Sequence, residues 1–252
     1  MLSVTVVQEA SGLDPAANRA RLGDLVPADS DLVVLPEAFA RDFGEAGSDV
    51  GPYAETPDGA FGTELAAVAA ARNTTVVAGM FETSGDPGRP YNTLLVRGAA
   101  DAAYRKIHLY DSFGFRESDT VSPGGLEPSR VEVGGFPLGL MTCYDLRFPE
   151  LARTLVEQGA EALVVPAAWV AGERKVEHWR TLLRARAIEN LCWVVAAAQP
   201  GPRYCGHSLV VAPTGDVVVE AGEGGEWITA TLELDQVADT RRQNPSLQNR
   251  RL

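Results

Sequence analysis

With 252 residues, a formal net charge of −12 and a sequence pI of about 4.7, the chain presents an acidic surface. Nucleic acid and anionic membranes need Lys/Arg patches, and the 22 basic residues form no run longer than a pair such as the terminal Arg250–Arg251, so neither partner is expected. The composition, 45% hydrophobic and 22% charged, is that of a globular protein, and no apolar stretch approaches the length of a membrane span.

Taken in chain order, SVTVVQ (3–8) predicts a first strand rather than a signal segment, since it lacks a basic leader and soon meets Gln8 and Glu9. DPAANRARLGDLV predicts a helix capped by Asp14, with Pro15 at its first position. DLVVLPEA (31–38) predicts a strand, and AFGTELAAVAAARN (60–73) a helix ended by Asn73. Strands follow over 74–83, 91–98 and 102–110. The pattern then begins again: RVEVGG and PLGLMTC as strands, FPELARTLVEQGA as a helix, ALVVPAAW as a strand and VEHWRTLLRARAIENL as a helix. CWVVAAAQ, GHSLVVAP, DVVVEAG and EWITATLEL complete it as strands. Nearly continuous apolar strands imply sheets covered on both faces, and alternation with helices implies layered α/β packing. No linker divides the halves, so residues 1–252 are read as one domain.

Three polar residues end apolar strands: Glu37 after LVVLP, Lys106 in AAYRKIHL and Cys143 after PLGLMT. In layered α/β folds the strand ends are where ligands sit. A thiol attacks only as thiolate, and its unperturbed pKa near 8.5 leaves little of that form at neutral pH. A carboxylate can take the proton, and an ammonium can hold the charge that develops. The Cys143 position just before a helix start adds backbone donors, beginning at Tyr144, for a tetrahedral oxyanion.

LPEAF around Glu37, YRKIHLYD around Lys106 and GLMTCYDLRFPELAR around Cys143 resemble the three signatures of the nitrilase superfamily of carbon–nitrogen hydrolases. The likeness continues through PAAW (166–169), EHWRTLLRARAIEN (177–190), GHSLVVAPTGDVV (206–218) and the terminal NRRL. It implies a four-layer αββα sandwich, and FRESDTVSPG (115–124) resembles the family loop carrying a second glutamate, here Glu117. CYDLRFPE and HWRTLLRARAIEN are similar to the branch containing deaminated glutathione amidase and omega-amidase. Nitrilases proper carry Cys-Trp-Glu where this chain has Cys143-Tyr144-Asp145, which argues against a nitrile substrate.

The resemblance implies an amidase releasing ammonia from a small carboxylate-bearing amide, such as deaminated glutathione or the ω-amide of a 2-oxo acid, through a Cys143 thioester. Glu37, Lys106, Cys143 and Glu117 are its expected catalytic residues. Arg147 is the candidate fork for a substrate carboxylate, where a salt bridge to Asp145 or Glu150 competes, and Trp169 is a candidate pocket wall. N-carbamoyl amino acid hydrolysis is the rival within the class. A non-catalytic scaffold or a thiol redox sensor is the rival outside it, the sensor needing a resolving cysteine beside Cys143.

No cofactor is implied, and three cysteines with no CxxC suggest neither a disulfide framework nor a zinc site, although Cys205 and His207 form a lone Cys-x-His pair. His108 is expected to make a supporting hydrogen bond. The cytoplasm is the expected location, and the resemblance implies a homodimer or larger homo-oligomer. Loops near 44–58, 84–90 and 111–128 are expected to shape the entrance.

Overall fold

The computed structural model describes residues 1–251. Its first half runs β1 (Leu2–Gln8), α1 (Pro15–Ala20), α2 (Leu22–Leu25), β2 (Leu32–Val34), α3 (Ala60–Arg72), β3 (Thr75–Glu82), β4 (Tyr91–Arg97) and β5 (Ala102–Arg105). A two-residue ribbon, β6 (Asp111–Ser112) with β7 (Phe115–Arg116), leads to β8 (Arg130–Val133), β9 (Phe136–Leu140), α4 (Pro149–Glu157) and β10 (Ala162–Ala167). The chain continues through α5 (Lys175–Asn190), β11 (Trp193–Ala198), β12 (Leu209–Val211), β13 (Val217–Glu220), β14 (Glu226–Leu232) and α6 (Leu234–Gln243).

Local chemistry explains the helix ends. Asp14 Oδ1 accepts the Ala16 and Ala17 N–H groups at 2.9 and 3.4 Å, and Pro15 opens α1. Asn73 closes α3 in the left-handed region, at φ 50°.

The duplicated pattern is real at the level of topology. One six-stranded sheet has the order β14-β1-β2-β3-β4-β5, the other β13-β12-β11-β10-β9-β8. In each, three parallel strands (β1, β2, β3 and β9, β10, β11) are flanked by antiparallel neighbours. The first sheet takes its outer partner, β14, from the far end of the chain, a pairing the linear order conceals.

Strand alternation then builds the layers. Val4, Val6, Leu32 and Val34 turn inward and share one core with Leu138, Leu140, Val164 and Val195 of the second sheet. Val7, Val33, Val76 and Ala78 turn outward onto Phe61, Leu65 and Val68 of α3. Leu151 and Leu155 of α4, with Trp179 and Leu183 of α5, cover the other sheet. The result is the αββα sandwich. Fully burying one such side chain contributes about 1.5–3 kcal/mol, so the facing sheets form a rigid frame for whatever projects from their ends.

Three strands are shorter than predicted, and the residues cut off are the chemically interesting ones. The 31–38 strand stops at Val34, before Pro36, which has no N–H to give a ladder. The 102–110 strand stops at Arg105, and the 137–143 strand at Leu140. Helix α6 was not anticipated. Among the described residues, no helix is long and apolar enough to cross a membrane.

Candidate active site

Glu37, Lys106 and Cys143 lie just beyond β2, β5 and β9, and the two facing sheets aim them into one hollow. Lys106 Nζ is 2.9 Å from Glu37 Oε1 and 2.9 Å from Glu117 Oε2. The three side chains are 2%, 1% and 2% exposed, so water does not screen the pairs. Each carboxylate has further donors. Asn92 Nδ2 reaches Glu37 Oε1 at 2.7 Å and Glu117 Oε1 at 3.1 Å, while the Tyr110 N–H donates to Glu117 Oε2 at 2.7 Å. Asn92 was not singled out from the sequence; its signal was a lone amide in the otherwise apolar YNTLLV strand.

The electrostatics follow from this packing. Burial disfavours the Lys106 ammonium, but Glu117 and Glu37 outweigh it and hold its pKa well above the ordinary lysine value. Burial, then the Glu37 charge, push the Cys143 thiol well above its usual range; Lys106 acts in the opposite direction without prevailing. Burial first, and the negative charge of the carboxylates second, keep the proton on the resting thiol.

Cys143 sits on a sharp elbow, at φ 46°, opening a short 3-10 turn that runs to Arg147. Such a conformation costs a non-glycine residue on the order of 1–3 kcal/mol and needs neighbours to hold it. Asp145, 0% exposed, is the chief of these. Its Oδ2 accepts the Thr142 N–H at 2.9 Å and the Tyr104 hydroxyl at 2.7 Å. Its Oδ1 accepts the His108 N–H at 3.0 Å and lies 2.8 Å from His108 Nδ1. One carboxylate therefore ties the elbow to the segment that carries Lys106. His108 makes the supporting hydrogen bond expected of it, and its ring stacks on Phe148 at 3.8 Å. The Tyr144 N–H precedes the first turn bond, from Asp145 N to Thr142 O, and so is not drawn into it.

The hollow has a volume of about 710 Å³. Tyr144, Arg147 and Trp169 all line it alongside Glu37, Lys106 and Cys143. Arg147 does not take the salt bridge that competed for it: Asp145 is engaged elsewhere, and the Arg147 Nε and Nη2 atoms are buried without a hydrogen-bond partner. Its guanidinium rests 4.9 Å from the Trp169 ring centroid. The 44–58 and 111–128 loops contribute wall residues, among them Ser48, Val50, Phe113 and Phe115, whereas residues 84–90 line none of it. Lys175, at the start of α5, is a wall residue the sequence reading passed over.

A carbon–nitrogen hydrolase family model matches residues 3–242. The chain belongs to that family. A carbon–nitrogen hydrolase of this kind has curated relatives along almost its whole length. A protein named as a hydrolase from Mycobacterium tuberculosis is 40% identical over 98% of this chain and 95% of its own. A deaminated glutathione amidase of Escherichia coli O157:H7 is 42% identical over 88% of this chain and 86% of its own. Among solved structures, a CN-hydrolase superfamily protein of Xanthomonas campestris, holding an arsenic adduct in its active site, superposes with a TM-score of 0.89 at 30% identity, covering 100% of this chain and 97% of its own. The carbon–nitrogen hydrolase is thus an enzyme of the amidase type on the nitrilase-superfamily fold.

Proposed function

We propose that the enzyme hydrolyses a small carboxylate-bearing amide, deaminated glutathione or the ω-amide of a 2-oxo acid, through a thioester on Cys143. The observation that carries this reading is Lys106 Nζ bridging Glu37 and Glu117 at 2.9 Å each, beside a buried thiol in one cavity. As Cys143 Sγ attacks the amide carbonyl, Glu37 takes its proton. Lys106 Nζ and the Tyr144 N–H hold the tetrahedral oxyanion; loss of one such donor costs roughly 3–4 kcal/mol of barrier lowering. Collapse breaks the C–N bond, and protonated Glu37 passes its proton to the departing nitrogen. The leaving group is ammonia only from an ω-amide; the scissile bond of deaminated glutathione is a secondary amide and releases the dipeptide amine, so the expectation of ammonia is corrected for that substrate. Water, deprotonated by Glu37, then attacks the thioester, and the released thiolate recovers the proton.

Glu117 acts by fixing Lys106, and Arg147 binds the substrate carboxylate while Trp169 walls it. Both sheets furnish the site, which supports treating 1–252 as one catalytic domain. The sensor reading lacks a reactive second thiol: burial pushes both Cys192 and Cys205 up to about 12. Steady-state assays on 2-oxoglutaramate, deaminated glutathione and N-carbamoyl-β-alanine test the proposal. Turnover of one of the first two is expected; turnover of the carbamoyl compound alone overturns it.

A further inference from the structure

Besides Lys106, the wall of the hollow carries Arg147 and Lys175, of which the machinery described so far uses only Arg147; Arg174 and Arg203, also on the wall, are paired with Glu177 and Asp42. Lys175 Nζ lies 3.9 Å from the Phe113 ring centroid and 5.9 Å from that of Trp169, the rings that also lie near Arg147, at 6.0 and 4.9 Å. Its backbone is fixed, because the Trp169 indole N–H donates to the Lys175 carbonyl at 3.0 Å. Its ammonium donates to the Tyr110 hydroxyl at 3.2 Å.

The pocket's buried carboxylates are not available to either cation. Glu37 and Glu117 are committed to Lys106, and Asp145 to the elbow. Glu45 and Glu173 stand on the exposed rim. Burial, then the neighbouring Arg147 charge, hold the Lys175 pKa below the ordinary lysine value. Two like charges lodged among aromatic rings, one with buried nitrogens lacking any hydrogen-bond partner, make an arrangement that an anion stabilises.

We propose that Lys175 is a specificity-determining residue, forming with Arg147 a two-cation receptor for the terminal carboxylate of the amide substrate. Arg147 supplies the planar fork and Lys175 the point charge, and the rings shield both side chains, which are half-buried, from part of the solvent. A neutral amide of the same length leaves both cations unmatched, so the receptor discriminates by charge. This rests on the amidase reading and adds to it the group that selects among amides.

The test compares wild type, Lys175→Met and Lys175→Arg on 2-oxoglutaramate and on pentanamide, which has the same chain length without the anion. Glutarate binding is measured in parallel by titration calorimetry. Lys175→Met is expected to lower kcat/KM for 2-oxoglutaramate on the order of 10- to 100-fold, mainly through KM, with Lys175→Arg restoring most of it. Turnover of pentanamide falls by much less than that of 2-oxoglutaramate, and glutarate binding weakens by a factor similar to the loss on 2-oxoglutaramate. Equal losses on both amides, or glutarate binding unchanged by Lys175→Met, overturn the receptor. Glutarate binding that weakens as expected while no amide is hydrolysed sustains the receptor and sinks the amidase reading instead.

Discussion

The Glu37 carboxylate, which projects from the first sheet, accepts the backbone N–H of Ala168 in the second sheet's half at 2.7 Å through Oε2. Gln199, also from the second half, donates to the Glu37 carbonyl at 3.0 Å. The carboxylate proposed as the base is thereby clamped across the sandwich. Its other oxygen is left to Lys106 and Asn92. The rigidity of two packed sheets becomes the positional accuracy of one carboxylate, and the predictions below follow from how that accuracy is held.

Gly79 is the floor beneath Glu37. A Cβ there would lie 2.3 Å from the Ala38 nitrogen and 2.8 Å from the Glu37 Cα, so the backbone carrying the carboxylate must shift. Displacement of about 1 Å costs roughly 100-fold in rate, and overpacking costs about 1–3 kcal/mol. Gly79→Ala is expected to lose activity on that scale and to unfold at lower denaturant. Parental kinetics in a folded Gly79→Ala protein would show that Glu37 placement does not govern the rate.

Asp145 is expected to matter without touching substrate. Asp145→Asn exchanges one acceptor oxygen for an amide facing N–H and O–H donors, so it loses buried charge-assisted bonds worth about 1.5–3 kcal/mol each. Denaturation should show a stability loss of a few kcal/mol, and kcat should fall while KM moves little, because the elbow and Lys106 lose their common tie. A variant with normal kcat would refute that tie.

The elements were largely legible, and the geometry of their ends was not. Asp14, Pro15 and Asn73 mark their helix termini by local chemistry, and the inner and outer faces of β1 and β2 follow from alternation. Glu37, Lys106 and Cys143 stood out because a charge or a thiol closing an apolar run is conspicuous. Asn92 and Asp145 did not, because their roles come from partners 55, 25 and 37 residues away in sequence. Lys175 escaped notice for the same reason: its neighbours Phe113, Tyr110 and Trp169 come from two separate loops and the end of a strand. The pairing of β14 with β1 joins the two ends of the chain and leaves no local trace.

The protonation of Cys143 can be read by its alkylation rate as a function of pH. Burial and then Glu37 raise the thiol, with Glu117 contributing least among the named causes. Removing a carboxylate charge removes an obstacle to the thiolate. The midpoint of the iodoacetamide profile should therefore move to lower pH in Glu37→Gln, and by less in Glu117→Gln. A shift to higher pH in Glu37→Gln would contradict the charge balance.

Cys192 offers a separate check on stability. Burial raises it from 9.0 to about 12, so the folded thiol keeps its proton where the unfolded one has lost it. The unfolded state then binds fewer protons, and stability falls as pH rises from about 9 towards 12, by up to about 4 kcal/mol for this group. Denaturation of wild type and Cys192→Ala across that window should give a shallower decline in the variant. Parallel declines would show that Cys192 is not protected.

The covalent step itself is open to direct observation by rapid-quench intact-mass spectrometry with 2-oxoglutaramate, followed by peptide mapping. The account predicts an acyl adduct of substrate mass less ammonia on the Cys143 peptide, formed during turnover and abolished together with activity in Cys143→Ala. Sustained hydrolysis by Cys143→Ala would contradict it outright.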